Sequence, residues 1–159
     1  MYPLSPRPGL ALLLATLFAG CAEISVGFES DPVELVLQPS EAVAYDVTVE
    51  ADGRRGFYEG SVSAYPLTQN VSGRITVLVS CDELSRQGFF GSEESADFEV
   101  PSVELGDTDF PIRAECVVAF SASDSTASET TLSWEARLYL ESLRGNEGST
   151  DVSIDVVRR

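Results

Sequence analysis

Leu132-Ser133-Trp134-Glu135-Ala136-Arg137-Leu138-Tyr139-Leu140-Glu141 repeats with a period of two. Leu132, Trp134, Ala136, Leu138 and Leu140 fall on one side of an extended chain, and Ser133, Glu135, Arg137 and Glu141 on the other. A helix would scatter these apolar residues around its circumference, whereas a strand gathers them on one face. The stretch is therefore read as a half-buried strand, with Trp134 expected to anchor a core.

The same alternation extends in both directions. Val33, Leu35 and Leu37 make one strand, and Val43, Tyr45, Val47 and Val49 another. Asp52-Gly53 marks a turn, where glycine tolerates positive φ, and Tyr58, Val62 and Ala64 continue on the return strand. Ile75, Val77 and Val79 come next, then Phe98 to Val100, then Ile112, Ala114, Val118 and Phe120. Val152, Ile154 and Val156 complete the series. About eight strands with turn residues between them predict an all-β domain over residues 33–159, an antiparallel, immunoglobulin-like β-sandwich with one solvated face per sheet. A closed barrel would read much the same. One short helical turn is expected near 81–87, because Ser80-Cys81-Asp82-Glu83 fits a capping box and Gly88 could terminate the helix.

The composition narrows the function. Against 26 acidic residues stand 10 basic ones, all arginine, for a formal charge of −16. Such a surface repels phosphate backbones, which argues against nucleic acid as a partner. The chain has no histidine and no lysine. A Ser-His-Asp triad, a Schiff base and a Ser-Lys dyad therefore cannot be built. No carboxylate pair stands in a recognisable glycosidase setting, so a non-catalytic protein without a cofactor is expected.

The first twenty residues read as an address. Arg7 precedes an apolar run from Leu10 to Phe18, too short to span a bilayer but suited to a signal-peptide core. The run ends in Leu17-Phe18-Ala19-Gly20-Cys21, which resembles the lipobox of bacterial lipoproteins, with Phe18 where leucine is commoner. That resemblance implies a thioether-linked lipid on Cys21, cleavage after Gly20 and acylation of the new amine. Several acyl chains together make a stable anchor. Ala22 stands where an aspartate would signal inner-membrane retention, so the resemblance implies the outer membrane, on its periplasmic side more than at the cell surface. Residues 1–20 would be the signal peptide and 21–32 the lipidated cysteine with a short tether closed by Pro32.

With Cys21 assigned to lipid, Cys81 and Cys116 remain as a pair. Cys116 shares the inward phase of Ile112, Ala114 and Val118, and Cys81 that of Ile75, Val77 and Val79. An exported chain oxidises such pairs, and closing a loop of this length stabilises by about 3–4 kcal/mol in the loop-entropy model. Without histidine or a second cysteine pair, zinc lacks ligands.

Three further features bear on partners. Phe89 and Phe90, between Gly88 and Gly91, lead into Glu93 and Glu94, forming a candidate contact loop unless the rings fold inward to cover the sandwich. Residues 87–112 hold seven acids and no base (Glu93, Glu94, Asp97, Glu99, Glu104, Asp107 and Asp109). Within them Asp107 and Asp109 are only a fragment of a Ca²⁺ loop, and a solvated acidic turn between strands is the preferred reading. The expectation is a lipid-anchored envelope module that acts by binding or as structure. The alternatives are an acidic scaffold or inhibitor that captures a cationic envelope protein, and a Ca²⁺-dependent glycan-binding adhesion module.

Overall fold

A computed structural model describes residues 24–53, 58–71, 73–91, 99–108, 111–123, 128–142 and 151–159. Ten strands run through them: β1 (Ile24–Glu29), β2 (Val33–Leu37), β3 (Ala42–Asp52), β4 (Tyr58–Asn70), β5 (Arg74–Cys81), β6 (Leu84–Gly91), β7 (Ser102–Thr108), β8 (Ile112–Ala122), β9 (Thr130–Ser142) and β10 (Asp151–Arg158). One sheet has the order β1-β9-β4-β7, with β2 following β1 along the same edge of β9. The other has the order β10-β3-β8-β5-β6. All pairings are antiparallel.

The two sheets face each other through the residues that alternation assigned inward. Leu132, Trp134, Ala136, Leu138 and Leu140 of β9 are buried, as are Val43, Tyr45, Val47 and Val49 of β3. Aromatic rings join the layers: Trp134 lies 5.0 Å from Phe120 of β8 and 5.2 Å from Tyr45, centroid to centroid. Tilted and edge contacts at these distances satisfy the ring quadrupoles. The architecture is a β-sandwich.

Four segments depart from the sequence expectation. The helical turn near 81–87 is absent; β5 runs on through Cys81, and Asp82-Glu83 close a two-residue hairpin with Cys81 opposite Leu84. A capping box satisfies helix-end donors only if a helix comes after it, and here the strand pairings of Cys81 hold the backbone extended. Asp82 takes φ +50°, a conformation aspartate tolerates better than most residues. Residues 84–91, without alternation, form β6 as an edge strand. Residues 24–29, part of the expected tether, are β1 and pair with β9 from Ser142 to Arg137. Of the strand expected at 98–100, Phe98 lies outside the described residues, Glu99 makes an isolated bridge to Phe89, and the next strand, β7, begins at Ser102.

Gly88 shows why β6 escaped recognition. A Cβ there would stand 2.2 Å from the Glu99 carbonyl oxygen and 2.5 Å from Pro101. The chain returning from β6 passes directly over this residue, held by two backbone hydrogen bonds between Phe89 and Glu99 (2.9 and 3.0 Å). Glycine at 88 permits a crossing and does not end a helix.

Cys81 and Cys116 form the expected disulfide, with an S–S distance of 2.06 Å. They are register partners on β5 and β8, so the bond ties neighbours within one sheet and both residues face the core. Their 4.1 Å Cα separation suits a non-hydrogen-bonded cross-strand pair.

Candidate functional site

The outer face of the first sheet carries the most distinctive surface. Tyr139 points outward from β9 and is 43 % exposed. Its register partners are Gly27 of β1 and Ser61 of β4, and Ser61 in turn pairs with Glu104 of β7. One row closer to Ser142, the end of β9, lie Glu141 of β9 and Glu59 of β4, directly opposite each other, with Asp107 at the next register position on β7. Tyr139, Glu59, Glu104 and Glu141 thereby converge around a concavity of about 410 Å³, completed by Gly60, Ser61 and Gly106.

Local backbone shapes this floor. The register of β4 on β7 shifts between Gly60 and Ser61, so Leu105 is an extra residue that packs against the core. Gly106, opposite Gly60, has φ +72°, the left-handed conformation expected of glycine at a bulge. Two facing glycines leave bare backbone, and the carboxylates stand around it.

Among the described residues, the electrostatics of the groove are one-sided. Like charges directly opposite on a sheet face destabilise it. No arginine forms an ion pair with Glu59, Glu104 or Glu141 among the described residues. Arg137, on the same face of β9, is committed elsewhere. Its Nε donates to Glu135 Oε1 at 2.6 Å and lies 3.8 Å from Glu29 Oε1, while its guanidinium covers the Tyr65 ring at 3.5 Å. That arrangement satisfies the buried Glu135 and leaves the described side chains of the groove acidic.

Two other concavities lack this combination. One, of about 310 Å³ at the β3–β10 end, contains Arg113 facing Glu50 at 3.9 Å. The other, a depression of about 550 Å³ on the second sheet, is crossed by the Arg159–Asp46 pair at 2.6 Å.

The residues singled out in the sequence are distributed differently. Phe90 is fully buried in the core, 6.2 Å from Phe120, and Phe89 is half-buried beneath the Arg74 guanidinium at 3.5 Å. Neither ring stands at an exposed loop tip, because both belong to β6. Glu93, Glu94 and Asp109 lie outside the described residues, as does Cys21. Asp107 is brought into the row of Glu59 and Glu141. No cluster of three metal-ligating side chains occurs among the described residues. Tyr139 escapes the sequence reading, although an aromatic residue on the polar phase of an otherwise strict alternation is a visible signal.

Comparison with protein-family models, with curated proteins and with solved structures found no match for this chain.

Proposed function

We propose that this protein is a non-catalytic binding module, carried on the outer membrane of a bacterium by lipid on Cys21, that takes a cationic group of a partner protein in the Tyr139 groove. The observation that carries the reading is the facing pair Glu59 and Glu141 beside an exposed tyrosine ring, with no arginine among the described residues to relieve them. A lysine or arginine side chain entering the groove gains both the carboxylates and the ring face. The overall charge of −16 would steer such a partner toward the surface. The lipobox-like segment ending in Cys21 supports the anchor, and the absence of histidine and lysine from the sequence supports a role without catalysis.

The test is binding of an arginine-rich peptide, monitored by fluorescence anisotropy at low and high salt. Glu59→Gln/Glu141→Gln and Tyr139→Ala proteins are expected to bind at least tenfold more weakly, and wild-type binding to fall with salt. Unchanged affinity in both variants would remove the groove from the reading. A glycan is the competing ligand, since Tyr139 also offers a stacking surface; Ca²⁺-dependent retention on a glycan array that is lost in Tyr139→Ala would favour it.

A further inference from the structure

Among the described residues the two sheets end in β7, β6, the β1–β2 edge and β10. Three of these edges are guarded against pairing with another chain. A bulge opposite Gly60, with Gly106 at φ +72°, interrupts β7. On β6 the backbone N–H and C=O of Phe89 are both taken by Glu99. The β1–β2 edge is split into strands of six and five residues, with Pro32 between them. Bulges, covering segments and short strands are the usual means of blunting an edge. Strand β10 has none of them. It keeps an unbroken register with β3 from Asp151↔Asp52 to Arg158↔Tyr45, with no proline, glycine or lysine. Its Val157 is 62 % exposed, more than any other large hydrophobic residue described.

The hydrogen-bonding groups on this edge can be assigned from Arg159, which donates its N–H to the Ala44 carbonyl of β3. Such bonds alternate along an antiparallel pair. Ser153, Asp155 and Val157 therefore bond β3, and Val152, Ile154 and Val156 direct N–H and C=O away from it. The side chains of these three residues face inward and pack on the core, yet stay only partly buried.

We propose that the occupant of the β10 edge is β10 of a second copy of this chain, paired antiparallel about a two-fold axis through Ile154. An axis normal to the sheet keeps inward residues opposite inward residues, so the register can slip only by two. Centred on Ile154, it sets Ile154 against Ile154 and Val152 against Val156 as hydrogen-bonded pairs, so all three apolar residues meet one another. On the outer face Asp151 meets Val157, and Asp155 meets Ser153. A slip of two residues one way puts Asp155 opposite Asp155, and the other way Asp151 opposite Asp155. Like charges directly opposite are destabilising, so the strand's own sequence selects the central register. The result is a continuous sheet of ten strands across two molecules. With a formal charge of −16 on each chain, salt should favour the pairing, the opposite of its effect on a cationic ligand.

The test uses the full chain in density-matched detergent, with detergent in excess of protein, followed by sedimentation velocity through a dilution series. The wild type is expected to show a species of twice the monomer mass whose fraction rises with NaCl. Ile154→Pro removes an N–H that β3 does not use, and is expected to stay monomeric throughout. Disulfide formation reads the register with Ile154 intact, so it decides even if proline disturbs the fold. Ser153→Cys and Asp155→Cys proteins, mixed and oxidised with diamide, should cross-link to each other, since the central register puts these positions about 4.5 Å apart. Each alone should give no more dimer than the oxidised wild type, because the like positions lie about 7–8 Å apart, beyond disulfide reach. A wild type that stays monomeric would overturn the proposal and leave the edge to a strand of another protein. A wild-type dimer whose cysteine mixture yields no excess of the mixed cross-link would overturn it too, by placing the contact elsewhere.

Discussion

Gly88 concentrates at one residue the constraint that lets β6 and the returning chain pass. Because a Cβ would overlap the Glu99 carbonyl and Pro101, Gly88→Ala must push backbone apart and not merely turn a side chain. The expected cost is about 1–3 kcal/mol, the range for overpacking, read as a lower urea midpoint with an unchanged slope. Tyr45 makes a second prediction. Burial raises its phenol pKa above the usual 10.0, an effect that the Arg158 charge partly opposes. Below pH 10 the phenol is neutral in both folded and unfolded chains, so its contribution to stability is fully present. As pH rises from about 10 through the raised folded value, only the unfolded chain ionises readily, and stability falls. Tyr45→Phe should flatten the loss of thermal stability as pH is raised above about 10. An equal alkaline loss in the variant would place the titrating group elsewhere.

Among the elements, the β1–β2 edge depends on a single hydroxyl. Between these strands Ser30 donates its N–H to the Ala136 carbonyl at 2.9 Å, and its Oγ accepts the Ala136 N–H at 3.0 Å. The side chain supplies the acceptor that the interrupted strand lacks. Ser30→Ala leaves a buried N–H unpaired and should cost about 1–3 kcal/mol, with faster hydrogen exchange at Ala136 as the local readout. The β5–β8 pair is held covalently as well. Replacing Cys81 and Cys116 by alanine should lower stability by about 2–4 kcal/mol, measured by urea unfolding against the oxidised wild type.

At the scale of the whole molecule, charge opposes compactness. A net charge of −16 on one sandwich implies self-repulsion that salt screens. Raising NaCl from about 0.01 to 0.15 M, which shortens the Debye length from about 30 to 8 Å, should increase Tm. Glu59→Gln/Glu141→Gln should raise Tm at low salt while weakening peptide binding. A purely structural role for the two carboxylates would not produce those opposite signs.

Alternation alone was enough to assign β3, β5, β8, β9 and β10 to strands and to select their inward faces, because side chains in a strand change sides at every residue. It also placed Cys81 and Cys116 in the inward phase, where they meet. Residues without that signal remained hidden. β6 is an edge strand whose first four residues are exposed, and β1 was obscured by its closeness to the expected anchor. The groove was hidden for another reason. Apart from β1–β2 and the β5–β6 hairpin, each connection carries the chain from one sheet to the other. Strand neighbours are therefore chosen by packing between distant segments, not by local turns. Glu59, Glu104, Tyr139 and Glu141 each show only an outward-facing side chain in the sequence. That three acids and an aromatic ring share one patch results from the register of β4, β7 and β9, which long-range pairing alone determines.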